Sequence, residues 1–259
     1  MKITAYRPTI ATGIPTEVMR LDYVSSVDGT ADWALVWPGV NPALWLIVIH
    51  GHGSHGDQLY TRPEMRDRWL PGFRASGAGI LAVNLRDNAW MNPAAAADLH
   101  ELIDWLRCEH DLNQTVLVSG SMGGTSNLIY AVLHPEDVNG VIARGAASDP
   151  ASYYHWCQRQ SAPIIQEIGA AIRLAYGGTP EEQPEGYRRH SALANADKLT
   201  MPVFLSHGGA DEIIPVEQSR RLVTAMAGQS HFHYREILEG NHDSPLSENE
   251  SFPAILKLI

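Results

Sequence analysis

Hydrophobic and polar positions alternate in two segments near the start of the chain. The segments are TEVMRLDYVSS (16–26) and TADWALVWPG (30–39), and both have a period of two residues. One face of the second segment carries four apolar residues, Ala31, Trp33, Leu35 and Trp37. The pattern predicts an antiparallel hairpin that opens the fold.

After residue 40 the pattern changes to continuous apolar runs of strand length. The runs are LWLIVI, GILAVNL, TVLVSG, GVIARG and PVFLSHG. Such runs are typical of strands that are buried on both faces of a parallel sheet. Helical periodicity separates them, as in 92–110, where Asn92 is a candidate N-cap and Pro93 takes the first helical position. Strands that alternate with helices predict a doubly wound α/β sheet.

The connection between the runs GVIARGAAS and PVFLSHG has about fifty residues, which is long for this class of fold. Two helical stretches, SYYHWCQRQ and APIIQEIGAAIRLAYGG, fall within it. We therefore expect one domain over residues 1–259, with a small helical cap inserted at about 150–200. Three aromatic residues at the start of the cap are candidates for an apolar substrate pocket or for packing of the cap on the core: Tyr153, Tyr154 and Trp156.

Composition narrows the possible partners of the 259-residue chain. It has 29 acidic and 19 basic side chains and a net charge of −10, which argues against nucleic acid as a partner. No apolar stretch reaches the roughly 18 residues of a membrane span, and no signal-peptide pattern opens the chain. With two cysteines there is no disulfide framework, so we expect a cytoplasmic protein that acts on a small molecule. The oligomeric state is not predicted.

The segment VSGSMGG joins a predicted strand directly to a predicted helix. Ser121 has a small residue two positions before it, Ser119, and two positions after it, Gly123. This spacing suits the sharp turn of a nucleophile elbow, in which the serine lies at the positive end of the following helix. A glycine-rich turn with a serine N-cap is the plainer interpretation of the same residues.

Two later loops supply the acid and the base that a serine nucleophile needs. Asp211 follows the strand that ends at His207–Gly209, with Glu212 beside it as a rival, and His242 follows a final strand, HFHYREIL. A histidine base deprotonates the hydroxyl, and a carboxylate orients that histidine. The chain order of nucleophile, acid and base is that of the α/β-hydrolases.

With these motifs the chain resembles the α/β-hydrolase superfamily over nearly its full length. Residues 176–226 are similar to the catalytic domain of the prolyl-oligopeptidase family, with seven matching positions: Tyr187, Arg188, Ser191, Asp211, Pro215, Gln218 and Ser219. The resemblance implies an α/β-hydrolase fold and a catalytic triad of Ser121, Asp211 and His242. Some family members place the acid earlier, where this chain has Asp149. The chain departs from the family at Ser119, in the loop RDNAW, and in having no preceding β-propeller.

The stretch HGHGSHGDQ (50–58) allows two interpretations. The resemblance makes it the oxyanion loop, in which the backbone N–H of His52, or of Gly53, acts together with that of Met122. His50, His52 and His55 could instead bind a metal. Binuclear hydrolases have an acid between the second and third histidines, whereas here that position is Ser54, so we expect no metal and no cofactor.

Together these features predict a serine carboxylesterase that works through an acyl-enzyme. A peptidase acting on short peptides is the alternative within the resemblance, and the missing propeller argues against it. A non-catalytic binding protein with the same fold is the third possibility, which the intact set of serine, acid and histidine disfavours. The identity of the ester is not predicted.

Overall fold

The computed structural model describes all residues, 1–259. The strands are β1 (Lys2–Pro8), β2 (Met19–Val24), β3 (Ala31–Trp37), β4 (Asn41–Ile49), β5 (Ala78–Val83), β6 (Gln114–Gly120), β7 (Gly140–Arg144), β8 (Val203–Gly208) and β9 (Phe232–Ile237). The helices are α1 (Gln58–Thr61), α2 (Pro63–Arg68), α3 (Leu70–Ala75), α4 (Pro93–His110), α5 (Met122–Leu133), α6 (Pro150–Cys157), α7 (Pro163–Ala175), α8 (Pro184–Arg189), α9 (Glu217–Ala225) and α10 (Ser251–Ile255). Short 3-10 helices span Pro135–Asp137, Ala196–Lys198 and Ser244–Ser247.

All nine strands form one sheet in the order β1-β2-β3-β5-β4-β6-β7-β8-β9. The pairs β1–β2, β2–β3 and β3–β5 are antiparallel, and every other neighbouring pair is parallel. The predicted opening hairpin and the parallel sheet after it are confirmed. Strand β1 was not predicted, because this edge strand is largely exposed and carries no buried apolar face.

The sheet is covered on both faces, and alternate residues of one strand show how. In β4, Trp45, Ile47 and Ile49 belong to the core on the side of α4, α5 and α9. Leu46 and Val48 belong to a second core, with α2, α3 and α10. A strand that contributes to two cores must be apolar at every position, so the continuous runs predicted a doubly wound sheet correctly.

Strand β3 differs from its predicted pattern. Ala34 and Val36 are fully buried, whereas Trp33 and Trp37 on the predicted core face are only partly buried. The reason is that both faces of β3 are covered, since Ala34 and Val36 belong to the core on the side of α4 and α5, and Leu35 belongs to the core on the side of α2 and α3. The two indole rings are covered by the guanidinium groups of Arg20 and Arg74, each 4.4 Å from the ring centre.

Helix α4 begins where its sequence predicts. The Asn92 side chain accepts a hydrogen bond from the Ala95 N–H at 2.9 Å, and Pro93 is the first helical residue. Its predicted apolar face, Ala95, Leu99, Leu102 and Leu106, is buried against the sheet. The span 150–200 contains α6, α7 and α8, of which α8 was not predicted as a helix. None of the helices has the length and apolar character that crossing a membrane requires.

Candidate active site

Ser121 occupies a strained turn between β6 and α5. Its backbone has φ 57° and ψ −127°, a region that L-residues rarely adopt and that costs about 1–3 kcal/mol. The turn is so tight that a Cβ atom at Gly123 would clash with the carbonyl oxygen of Ile49. The departure at position 119 also has a structural explanation, since the Ser119 hydroxyl accepts the Ile49 N–H at 2.9 Å. A glycine at that position could not satisfy this buried donor.

Three side chains from distant parts of the chain meet at this turn. The distance between His242 Nε2 and Ser121 Oγ is 2.9 Å, and the distance between His242 Nδ1 and Asp211 Oδ2 is 2.7 Å. The carboxylate of Asp211 is fully buried, and its Oδ1 accepts the N–H groups of Ile213 and Ile214. The structure thus brings together the three residues that sequence reasoning selected.

The pKa of Asp211 reflects two opposing effects. Burial alone would raise it, but hydrogen bonds from His207, His242 and the Ile214 amide hold it well below the ordinary value of an aspartate. Asp211 therefore remains a carboxylate at neutral and mildly acidic pH. That charged form is the one that can orient a histidine and stabilise its protonated state.

The rival acids lie elsewhere. Glu212 is exposed to solvent beside Asp211. Asp149 precedes α6, and its carboxylate lies 3.5 Å from the Arg221 guanidinium rather than on His242. Neither carboxylate contacts the histidine.

His207 is a residue of the site that sequence reasoning missed. Its Nε2 lies 2.9 Å from the Ile214 carbonyl and 3.3 Å from Asp211 Oδ2. Because both of those atoms are acceptors, Nε2 carries the proton, and Nδ1 accepts from the Ser219 hydroxyl at 2.6 Å. Asp211 is thus held by two histidines. The only signal in the sequence was the spacing of His207, Asp211 and Ser219 within the motif that carries the resemblance.

The loop 50–58 passes directly in front of Ser121, since a Cβ at Gly51 would lie 3.9 Å from the Ser121 Cβ. The Gly53 N–H donates to Asn88 Oδ1 at 2.8 Å, so it is already engaged. The His52 N–H has no acceptor in the structure, and neither does that of Met122, the first residue of α5. Of the two amides that the sequence left open, only that of His52 is free to bind a ligand.

The three histidine rings of this loop have separate partners. The buried His50 ring lies between the carbonyl oxygens of Gly51 and Asn84, at 2.8 Å from each. The exposed His55 ring lies against Asp87. The centre of the His55 ring is 6.3 Å from the centre of the His50 ring. His52 Nδ1 accepts from Trp90 Nε1 at 3.3 Å, and burial lowers its pKa. The rings do not converge on one point, so their geometry gives the metal interpretation no support.

A cavity of about 180 Å³ opens at Ser121. Its apolar wall consists of Met65, Ile164, Ile168, Ile213 and Leu246, and its polar wall includes Gln58, Arg62 and Asp243. The predicted aromatic lining is not found here. Tyr153 is fully buried and donates to the Ile213 carbonyl, Trp156 stacks on it, and Tyr154 faces a separate groove beside α7. These rings are used in packing α6, while isoleucines of α7 line the cavity.

We expect removal of the His52 imidazole to have a mild effect. His52→Ala keeps the free N–H, so kcat/KM for p-nitrophenyl acetate should fall by less than about tenfold, well short of losing an oxyanion donor. Dialysis against EDTA should leave activity unchanged, and elemental analysis should find zinc and manganese well below about one equivalent per chain. Activity that disappears with the chelator and returns with zinc would contradict the proposed role of the loop.

Comparisons with known proteins agree with this architecture. Residues 40–226 match the BD-FAE family model. The chain is 24% identical over 222 residues to esterase LipC of Mycobacterium tuberculosis, covering 78% of this chain and 53% of LipC, so it spans about half of that relative.

Solved structures share the fold at low sequence identity. A Staphylococcus aureus fluorophosphonate-binding serine hydrolase, FphF, matches 93% of this chain and 97% of its own at a TM-score of 0.67 and 14% identity. A Mycobacterium tuberculosis puromycin-hydrolyzing peptidase matches 96% of this chain and 40% of its own, with a TM-score of 0.69 and 18% identity. The fold is therefore that of the α/β-hydrolases, a fold that prolyl-oligopeptidase-like catalytic domains share. Because the family model covers most of the sequence, the chain belongs to the BD-FAE family.

Proposed function

We propose that this protein is a serine esterase that cleaves small carboxylic esters. The observation that carries the proposal is the continuous hydrogen-bonded chain from Ser121 through His242 to Asp211, which opens into a cavity beside two unengaged backbone N–H groups. Membership of the BD-FAE family and similarity to a protein named an esterase support the same conclusion.

In the proposed reaction, Ser121 Oγ attacks the ester carbonyl carbon while His242 Nε2 accepts the hydroxyl proton. Asp211 accepts from His242 Nδ1–H, which fixes the tautomer that leaves Nε2 free as a base. Negative charge develops on the carbonyl oxygen, and hydrogen bonds from the backbone N–H groups of His52 and Met122 stabilise it. Each such donor typically contributes about 3 kcal/mol to transition-state stabilisation.

The second half of the reaction uses the same groups. His242 returns its proton to the leaving alcohol, and the acyl group remains on Ser121. Water then enters, His242 deprotonates it, and attack on the acyl carbon releases the acid and restores the serine. Every proton moves between the substrate, water, Ser121 and His242, so the residues of this chain suffice for the proposed chemistry.

The size of the cavity favours short acyl groups. A volume of about 180 Å³ is below the range of roughly 300–1,000 Å³ that is common for drug-sized ligands. Ile164 and Ile168 of α7 close one side of it, so a longer acyl chain must displace the cap or extend into solvent. The short acyl chain of an acetyl or butyryl ester requires neither displacement of the cap nor extension into solvent.

We therefore predict that acetyl and butyryl p-nitrophenyl esters are hydrolysed with a higher kcat/KM than aminoacyl p-nitroanilides, by about tenfold or more. A contact between the cavity and one or two methylene groups of the substrate is worth about 1–3 kcal/mol. In addition, the carbonyl group of an anilide is less reactive than that of an ester. Steady-state kinetics on the matched series of chromogenic substrates provides the measurement. Equal or faster turnover of the anilides would identify the protein as a peptidase instead.

A further inference from the structure

The peptide that carries the His52 N–H lies between two anchored peptides. On one side the Gly51 N–H donates to Gln58 Oε1 at 2.8 Å, and on the other the Gly53 N–H donates to Asn88 Oδ1 at 2.8 Å. The His52 N–H between them has no acceptor. Two side-chain carbonyl groups thus engage the flanking amides and leave only the middle one free.

This arrangement limits how the loop can turn. Glycine rotates more freely about its backbone bonds than any other residue, and Gly53 has a φ of 74°. Without fixed partners, the peptides on either side of His52 would sample several orientations, and the free N–H would point in a different direction in each. The carbonyl of the same peptide, that of Gly51, accepts from the Ser54 N–H at 3.1 Å and lies 2.8 Å from His50 Nδ1. Hydrogen bonds to Gln58 and Asn88 fix the planes of the two flanking peptides, and together these contacts set the direction of the His52 N–H.

Asn88 is itself held in a rigid segment. Five residues of the segment 85–91 have positive φ values between 45° and 62°: Leu85, Arg86, Asp87, Trp90 and Met91. Non-glycine residues persist in this region only where their surroundings determine the conformation. Here the Arg86 guanidinium bonds to Asp98 and Asp28, both at 2.7 Å, and the Arg86 N–H donates to Asp32. The segment also contacts the loop a second time, where Trp90 donates to His52.

We propose that Asn88 and Gln58 are positioning residues that aim the His52 amide at the substrate oxyanion. The inference rests on the proposed function, in which that amide stabilises the transition state. Neutral amide side chains suit the task, because a carboxylate at either position would place a full negative charge beside the forming oxyanion. Asn88 does not line the cavity at Ser121, so its effect is exerted through the loop.

The test compares two replacements of Asn88 that have similar shape. Asn88→Leu removes the acceptor, and we expect kcat for p-nitrophenyl acetate to fall by about 10- to 100-fold, with KM within about threefold of wild type, since a misaimed donor loses part of what a deleted donor loses. Asn88→Asp keeps the acceptor but adds a negative charge. Its kcat should be at least about fivefold higher than that of Asn88→Leu, and the difference should increase at high salt, which screens the added charge. Asn113→Leu is the matched control, because Asn113 is exposed at the opposite end of the sheet.

Two further measurements separate this proposal from the esterase assignment. The rate at which a fluorophosphonate labels Ser121 should fall in Asn88→Leu in parallel with kcat, and this readout does not need turnover of an ester. Inhibition by a trifluoromethyl ketone, which forms an oxyanion at the nucleophile, should weaken by the same factor. A wild-type protein that is labelled at Ser121 but hydrolyses no ester would refute the esterase assignment and leave the labelling comparison to decide the role of Asn88.

Three results would overturn the positioning role. The first is an Asn88→Leu variant within about threefold of wild type in both kcat and labelling rate. The second is a loss that appears in KM alone. The third is equal activity of Asn88→Leu and Asn88→Asp at every salt concentration. Circular dichroism of each variant establishes that the fold is retained, and the half-exposed position of Asn88 makes the substitutions tolerable.

Discussion

Replacing Ser121 with alanine should abolish ester hydrolysis and leave the protein folded. We expect kcat/KM for p-nitrophenyl acetate to fall by about 10³-fold or more, because the acyl-enzyme cannot form without the nucleophilic oxygen. The hydroxyl of Ser121 contacts only His242, so its loss leaves no buried polar group of the core unpaired. Circular dichroism and thermal unfolding should therefore resemble those of the wild type.

Ser26→Ala is the matched control, since Ser26 is exposed near α4 and its hydroxyl contacts Glu101. Its activity should be unchanged. A fluorophosphonate followed by peptide mapping should label Ser121 and not the neighbouring Ser119, whose buried hydroxyl is engaged with Ile49 and Asn127. A Ser121→Ala variant that keeps more than about a tenth of the wild-type rate would exclude Ser121 as the nucleophile.

Asp211→Asn should lower kcat by about 10³- to 10⁴-fold with little change in the fold. The direction follows from the hydrogen bonds of the carboxylate. Oδ1 accepts two backbone N–H groups, so the carbonyl oxygen of an asparagine must occupy that position. Its NH₂ group then faces His242 Nδ1, which must accept instead of donate. The proton moves to Nε2, and the histidine can no longer act as a base toward Ser121.

Measuring kcat for the corresponding variants of Asp149 and Glu212 decides between the candidate acids. Asp149→Asn should retain activity within about twofold, because its exposed contact with Arg221 at 3.5 Å is worth little. Glu212→Gln should do the same, since that side chain lies in solvent. A larger loss in Asp149→Asn than in Asp211→Asn would show that the acid has been assigned to the wrong residue.

The parts of the fold that could be predicted from the sequence are those encoded locally. The runs that became β4 to β8 are apolar because each strand contributes to two cores, and this signal does not depend on distant residues. The N-cap of α4 and the elbow at Ser121 likewise depend on neighbours within a few positions. Asp211 and His242 could be selected because the order of chemical roles along the chain, together with the positions of the strand ends, limits the choice.

The remaining features depend on contacts between segments far apart in the chain. Asn88 and Gln58 are ordinary amides in the sequence, and their roles arise only when the segments 50–58 and 85–91 lie side by side. Of the residues in RDNAW that have positive φ values, only Asp87 is of a type that favours them, and no glycine marks the positive values at Arg86 and Trp90. The aromatic residues of α6 suggested a pocket, but packing placed the aliphatic residues of α7 at the cavity instead. Sequence periodicity identifies which residues are buried without identifying what they are buried against.

The conformation of Ser121 sets selection for activity against selection for stability. At a φ of 57° the ideal residue is glycine, which has no Cβ atom to conflict with the neighbouring backbone. Selection for a stable fold alone would therefore favour glycine at position 121, whereas the proposed reaction requires serine. Descendants of this protein that no longer need the reaction would gain stability by a single change at this position, and that change would also remove the nucleophile. A glycine at the corresponding position in a relative is thus a sign that catalysis has been abandoned.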